Sequence, residues 1–344
     1  MCEGNGIKAI VLHGKGGNYR YEDSWLKPEK PDGWVLVKVA YCGICGSDIP
    51  RFSGDGSYHH PMILGHEFSG TVSEVTSGTS PFKIGDAVAV SPIIPCGSCA
   101  GCREMGPFHC EHYQFLGSRN DGGFAEYCAV PESNLIKLES DEILKAGCIL
   151  EPMAVGLHVI RRSGFGAAGK NAIVFGAGPI GMVVGLWLKE FGAARVVMVD
   201  LRDRNIDAAR NMGFETFNPV HKDISILGTF DYAFECAGSS KAICDAITLL
   251  KGKGTLTIVG RDVHDTVITH EKFEKLMRKE ISLFGCWGYD IRGEENLLAQ
   301  TLNKHAKKLE SIISHTVPVE KVEQTIRDMC SGKFEYCKVV VSFQ

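Results

Sequence analysis

The sequence has no excess of positive charge. Its 344 residues hold 37 lysines and arginines against 41 aspartates and glutamates, a net charge of −4. That balance argues against a general nucleic-acid binder and predicts no nucleic-acid partner. No secretory leader is visible either. Met1-Cys2-Glu3-Gly4-Asn5 is not a basic segment followed by a long apolar stretch, so the expected location is the cytoplasm, where thiols stay reduced. There is no internal repeat and no low-complexity tract. One uncharged run, residues 171–188, approaches the minimum length for a membrane span. It is broken by Gly176, Gly178, Pro179, Gly181 and Gly185, so a strand, a tight turn and a buried helix are expected, with no membrane partner. Cysteine, at 14 residues, falls short of the roughly 8–10% typical of a disulfide scaffold. The thiols therefore read as metal ligands or packing groups.

Glycine, by contrast, is abundant: 40 residues, against a usual share of about 7%. Hydrophobic content of 44% and charged content of 23% fit a folded chain of about two domains. Residues 1–150 read as short strands and turns. Residues 34–39 and 86–90 are β-rich and follow the turn formers Pro31-Asp32-Gly33 and Ile84-Gly85. From Glu151-Pro152 onward, apolar strands (172–175, 196–200, 231–235, 255–259) alternate with helical stretches (180–191, 204–212, 241–250). That alternation marks βαβ units and a parallel sheet. After Phe284-Gly285-Cys286 a mixed pattern returns, with a helix expected over 294–307 and a last strand over 338–342. The expected fold class is α/β. A β-rich domain, residues 1–152 and 288–344, is interrupted by a doubly wound parallel-sheet domain, residues 153–287.

Cys96, Cys99, Cys102 and Cys110 are spaced C-x2-C-x2-C-x7-C within a lobe of about residues 95–112. Four thiolates so close together suit a closed, tetrahedral structural Zn²⁺ site with no open position for substrate. Gly97 and Gly101 let the loop wrap tightly. An iron–sulfur cluster takes the same ligands. A nucleic-acid-binding zinc ribbon is disfavoured, because Arg103 is the lobe's one basic residue apart from histidines.

A second constellation comprises Cys45, His66, Glu67 and Glu151. One thiolate, one imidazole and one carboxylate make a mixed Zn²⁺ site that leaves room for a water or a substrate oxygen. Cys45 and His66 are the firm ligands, and the third is Glu67 or Glu151. Cys42 reads as a core thiol. Asp48 is placed to fix the tautomer of His66 through its other ring nitrogen.

The strand at 172–175 runs into Gly176-Ala177-Gly178-Pro179-Ile180-Gly181 and then an apolar helix. With Asp200 ending the next strand, this G-x-G-x-x-G has the context of a dinucleotide site. Gly176 permits the turn, Gly178 lets the backbone approach a pyrophosphate, and Gly181 packs helix on strand. Pro179 and Ile180 open the helix whose N-terminus faces the anion. Asp200 favours NAD over NADP, while Arg202 and Arg204 nearby leave NADP open.

These elements, in this order, resemble the zinc-dependent medium-chain dehydrogenase/reductase superfamily over essentially the whole chain. Residues 45–51 (CGSDIPR), 64–70 (LGHEFSG) and 115–127 (FLGSRNDGGFAEY), together with Glu151-Pro152 and Val155-Gly156-Leu157-His158, resemble the galactitol-1-phosphate 5-dehydrogenase branch of its polyol dehydrogenases. The resemblance implies a GroES-like catalytic domain with an inserted Rossmann domain, and NAD-linked oxidation of galactitol 1-phosphate to tagatose 6-phosphate. It implies two zinc ions per chain, the catalytic one on Cys45, His66 and Glu151 and the structural one on the four-cysteine lobe. It also implies a homodimer, for which the alternating run 253–259 is a candidate to pair across a two-fold axis.

Two departures stand out. Sorbitol dehydrogenases carry an F-R-Y segment where this chain reads Phe284-Gly285-Cys286-Trp287-Gly288-Tyr289. Many relatives place a basic residue five positions after the ribose-binding acid, where Asn205 stands here.

Zinc in such a site polarises the substrate hydroxyl. Ser47 is placed to take its proton, and where some alcohol dehydrogenases continue the relay through a histidine this chain has Pro50, so the proton leaves through water or Glu151. A phosphorylated substrate needs a cation: Arg119 first, then Arg51, with Lys83 and Arg292 further candidates. The competing readings are a dehydrogenase of another polyol or polyol phosphate, such as sorbitol or D-arabitol phosphate, and a non-catalytic zinc- and NAD-binding scaffold.

Overall fold

The computed structural model describes residues 6–76, 80–166, 168–220, 222–261 and 264–344. Cys2 lies outside the described residues. The chain divides into two compact units, Met1–Glu151 with Arg292–Gln344, and Pro152–Ile291.

The first unit is built on a seven-stranded sheet. Its order is Leu135–Lys137, Ala87–Val90, Glu67–Glu74, Trp34–Ile44, Lys338–Ser342 and Ile313–Pro318, with Tyr127–Pro131 also pairing to Trp34–Ile44. Trp34–Ile44, in the middle of the sheet, is buried along most of its length, with Lys38 its exposed residue. Val35, Val37 and Val39 pack with Phe68, Val72, Val88, Val339 and Val341 in one core. A three-stranded sheet of Tyr19–Leu26, Gly6–Leu12 and Met62–Ile63 accompanies it. Two registers matter for the site. Gly43 pairs with Glu67, and Ile44 pairs with Val339. The end of the central strand is thereby flanked by Glu67 on one side and Lys338 on the other.

The second unit is a six-stranded parallel sheet ordered Glu215–Phe217, Arg195–Val199, Asn171–Phe175, Phe230–Glu235, Leu250–Ile258 and Ser282–Gly285. Numbered along the chain, this is 3-2-1-4-5-6, the Rossmann order, which reverses direction between Asn171–Phe175 and Phe230–Glu235. The uncharged run 171–188 is a strand, a turn and the helix Pro179–Glu190. Among the described residues no single helix is long and apolar enough to cross a membrane.

The two outer strands, Glu215–Phe217 and Ser282–Gly285, escape a reading by apolar periodicity because they are short and partly exposed. One expectation is corrected. The run 253–259 is not available for pairing across a two-fold axis, because Thr255–Ile258 is hydrogen-bonded to Phe230–Glu235 on one side and to Ser282–Gly285 on the other. The free edge at that end belongs to Ser282–Gly285. The helix expected over 294–307 runs Glu295–Glu310, with non-helical backbone at His305.

Candidate functional site

Cys45 immediately follows the central strand, and His66 immediately precedes the neighbouring one. Antiparallel pairing of the two strands brings them together. One ligand atom from each of Cys45, His66 and Glu67 lies within 4.8 Å of the others. Glu151, at the start of the helix Leu150–Arg162, does not join this set. Its carboxyl is buried nearby, and that burial pushes its pKa up to about 7. Of the two carboxylates that the spacing left open, the structure therefore groups Glu67, not Glu151, with Cys45 and His66.

Asp48 is fully buried behind the histidine. Its Oδ1 lies 3.5 Å from His66 Nδ1, and its Oδ2 accepts from the Cys45 backbone N–H at 3.0 Å. One carboxylate thus orients two of the three donors and leaves His66 Nε2 for a metal. Burial pushes the His66 imidazole down, but the charges of Asp48 and Cys45 outweigh it and the net direction is up. A negative pocket of this kind is completed by a cation. The Ser47 hydroxyl donates to Cys45 Sγ at 3.3 Å, which holds it beside the metal position. Cys42 is buried in the core, and burial raises its thiol.

Sequence reasoning missed Lys338. Its side chain is buried, and its ammonium donates to both oxygens of Glu67 at 2.6 and 2.8 Å and to the Ile44 carbonyl at 3.2 Å. Burial alone would lower its pKa, but the Glu67 charge reverses the direction and keeps the amine protonated. The signal was a lysine heading the valine run Lys338-Val339-Val340-Val341, where a solvated charge does not belong.

In the cysteine lobe, the four sulfurs of Cys96, Cys99, Cys102 and Cys110 also lie within 4.8 Å of one another. The backbone N–H groups of Cys96 and His112 point at Cys110 Sγ, and that of Cys102 at Cys99 Sγ. Backbone donors from Ser98 and Cys99 lower the Cys96 thiol to about 5, while burial and neighbouring sulfurs push Cys102 up to about 12. Four sulfurs cannot all ionise so close together without a cation, and the set fits tetrahedral zinc. Gly101 is required: a Cβ there would meet the His109 carbonyl oxygen at 1.9 Å. Arg292, a candidate for substrate phosphate, donates instead to the Cys102 carbonyl at 3.1 Å and so tethers the lobe.

In the second unit, Gly176 takes a φ of +95°, and a Cβ on Gly181 would meet the Gly176 oxygen at 1.8 Å. Gly178 differs, because a Cβ there meets nothing in the protein within 4 Å. Pro179 and Ile180 begin the helix capped by Gly178. Asp200 accepts from the backbone N–H groups of Ala177 and Arg202, both at 2.8 Å, and from Asn205 Nδ2 at 3.0 Å. Asn205, which stands where relatives carry a base, is thus buried against the acid. A cavity of about 340 Å³, lined by Gly176, Gly178, Asp200, Arg202 and Asn205 among others, opens at this strand-order reversal.

Arg119 lies in a turn whose Phe115 ring is 5.6 Å from the His66 ring. Arg51 begins the short helical turn Arg51–Asp55. Lys83 uses its backbone N–H to hold Asp86.

Comparison with known proteins matches residues 31–140 to the alcohol dehydrogenase GroES-like domain and residues 179–304 to the zinc-binding dehydrogenase family. Galactitol 1-phosphate 5-dehydrogenase of Escherichia coli K12 is 33% identical over 93% of this chain and 95% of its own length. The Emericella nidulans protein named "Probable D-xylulose reductase A" is 30% identical over 91% of each chain. The crystal structure of the Escherichia coli galactitol-1-phosphate dehydrogenase superposes with a TM-score of 0.87 at 32% identity, covering 97% of this chain and 99% of that one. Two solved structures carry a dinucleotide. An Escherichia coli CFT073 alcohol dehydrogenase holds NADH (25% identity, TM-score 0.86, 99% and 100% coverage). A Sinorhizobium meliloti 1021 protein, titled "a putative zinc-binding dehydrogenase", is bound to NADP (26% identity, TM-score 0.88, 98% and 100% coverage).

Proposed function

Because this chain belongs to the zinc-binding alcohol and polyol dehydrogenases, with their GroES-like and Rossmann folds, zinc and a nicotinamide dinucleotide, we propose that it oxidises a polyol phosphate with NAD, galactitol 1-phosphate to tagatose 6-phosphate. The observation that carries the reading is the mixed centre, where a thiolate, an imidazole and a carboxylate converge within 4.8 Å. Such a set leaves a zinc coordination position for a substrate oxygen. A non-catalytic scaffold has no use for it.

Cys45 and His66 would hold the catalytic zinc with Glu67 or Glu151 as the carboxylate, and Cys96, Cys99, Cys102 and Cys110 the structural one. When bound, zinc supplies a Lewis acid for the substrate hydroxyl and the dinucleotide accepts the hydride. The protein's part is positional. Asp48 holds the imidazole, and Lys338 neutralises Glu67 from behind. Ser47, beside the Cys45 sulfur, takes the hydroxyl proton and releases it to water or Glu151. The carbinol carbon loses its hydrogen with the bonding pair, and a ketone results.

On the cofactor side, Gly176, Gly178, Pro179, Ile180 and Gly181 face the pyrophosphate. The Asp200 carboxylate binds the ribose hydroxyls and repels the extra phosphate of NADP. Arg119, with Arg51, takes the substrate phosphate. The likeness to galactitol-1-phosphate dehydrogenase supports this substrate, and the near-equal likeness to D-xylulose reductase makes a different polyol the second reading. All the described cysteines are free thiols, which accords with a cytoplasmic enzyme. The proposed assembly is a homodimer, for which Ser282–Gly285 offers the unpaired strand edge.

The test is NADH formation, followed by absorbance, with galactitol 1-phosphate, D-arabitol 1-phosphate, galactitol and sorbitol side by side. The reading expects the highest kcat/KM for galactitol 1-phosphate. A higher value for an unphosphorylated polyol would overturn it.

A further inference from the structure

The Arg119 guanidinium lies over two tyrosine rings. Its guanidinium carbon lies 4.2 Å from the Tyr113 centroid and 4.5 Å from that of Tyr58. The Arg51 guanidinium lies 5.9 Å from the same Tyr58 ring. Neither arginine forms an ion pair among the described residues. Two cations gathered on one ring repel each other, and the π-faces offset only part of that cost.

Unsatisfied polar atoms collect at the same place. Among the described residues nine buried side-chain nitrogens and oxygens lack a hydrogen-bond partner, and four of them are both ring nitrogens of His60, Arg119 Nε and Asn120 Oδ1. The segment 58–60 runs against Arg119, since Tyr58 stacks on its guanidinium and His59 Nε2 meets its carbonyl oxygen at 3.2 Å. The Lys15 stem and the His60 ring both pack close to Gly56. Asp121, the carboxylate next along the turn, is turned away to accept from the Ile63 backbone N–H at 2.9 Å. The cluster also adjoins the metal centre: the Arg119 backbone N–H donates at 2.8 Å to the Phe115 carbonyl, and the Phe115 ring lies against His66.

We propose that Tyr58, His60, Tyr113 and Arg119 form a preorganised subsite for a phosphate monoester dianion, the end of the substrate remote from the hydroxyl that is oxidised. This rests on the polyol-phosphate reading above and deepens it. A guanidinium resting against two rings has its rotamers already restricted, so less freedom is lost when the anion arrives. Its planar fork matches two phosphate oxygens, and the unpaired Nε lies on that fork. An N–H of His60 supplies another donor. Arg51 adds charge from the far side of the cluster's sequence without stacking as closely.

The experiment uses the zinc-loaded full chain and has two readouts. The first is the ratio of kcat/KM for galactitol 1-phosphate to that for galactitol, in the native chain and in Arg119→Gln, Arg119→Lys and His60→Asn. The second is titration with inorganic phosphate by calorimetry, with zinc content and NADH binding confirming that each variant is folded. Arg119→Gln is expected to lower the ratio about a hundredfold and to abolish phosphate binding, with Arg119→Lys intermediate and His60→Asn about tenfold down. An unchanged ratio together with unchanged phosphate binding in folded Arg119→Gln overturns the subsite while leaving the polyol-phosphate reaction standing. Phosphate binding that depends on Arg119 in a chain that oxidises no polyol phosphate leaves the anion subsite standing and overturns the substrate instead.

Discussion

The cysteine lobe and the mixed centre are both gatherings of metal-type donors in the same folding unit, and they are built in opposite ways. The lobe takes all four sulfurs from fifteen consecutive residues, 96–110, and orients them with its own backbone N–H groups. The mixed centre draws Cys45 and His66 from just beyond the ends of two paired strands and leans on Asp48 and on Lys338, a residue 271 positions from Glu67. A local site depends on its loop and offers no open coordination position. A site assembled across strands depends on the sheet register, and its donor set leaves room for substrate. The contrast predicts that the two respond differently to damage.

The largest effect is expected at the mixed centre. Cys45→Ala or His66→Ala removes a ligand and the Lewis acid with it, a loss of several kcal/mol of transition-state stabilisation and on the order of a thousandfold or more in kcat. NADH binding, read by fluorescence, persists. Next comes the support behind it. Lys338→Met leaves the Glu67 carboxylate buried without its partner, and chemical denaturation should show a loss of about 3–5 kcal/mol. The double variant with Glu67→Gln should recover much of that, which a simple packing defect would not. At the lobe, Cys110→Ser should lower zinc content from about two ions per chain to about one and lower the melting temperature. Turnover by the chain that stays folded should suffer far less than in Cys45→Ala. The smallest effect is expected in the Rossmann unit, where Asp200→Ala should raise the KM for NAD about tenfold and narrow the preference over NADP.

The same contrast explains what the sequence made legible. The lobe spacing and the glycine loop with Asp200 are short-range patterns, and the structure brings each together as a local unit. The apolar alternation after residue 151 likewise told of a parallel sheet, because its inner strands carry continuous apolar runs such as Ala172-Ile173-Val174-Phe175 and Val196-Val197-Met198-Val199. The partners of Glu67 and Arg119 were not legible. Lys338 meets Glu67 only through the pairings Gly43 with Glu67 and Ile44 with Val339, a register that no local pattern encodes. Tyr58 and Tyr113 reach the Arg119 guanidinium from two separate loops. The two-fold pairing expected of residues 253–259 failed for a similar reason: alternation marks a strand but cannot tell an interior strand from an edge, and the true edge, Ser282–Gly285, is only four residues long.

The central claim is that the mixed centre, and not the lobe, carries the reaction. The most direct measurement removes zinc stepwise from the native chain with a chelator, following metal content and the rate of NADH formation from galactitol 1-phosphate together. The account predicts that activity disappears with the first zinc to leave while the lobe's zinc and the circular dichroism spectrum are retained, and that added zinc restores it. Undiminished activity in a chain verified to hold metal only on the lobe would contradict it.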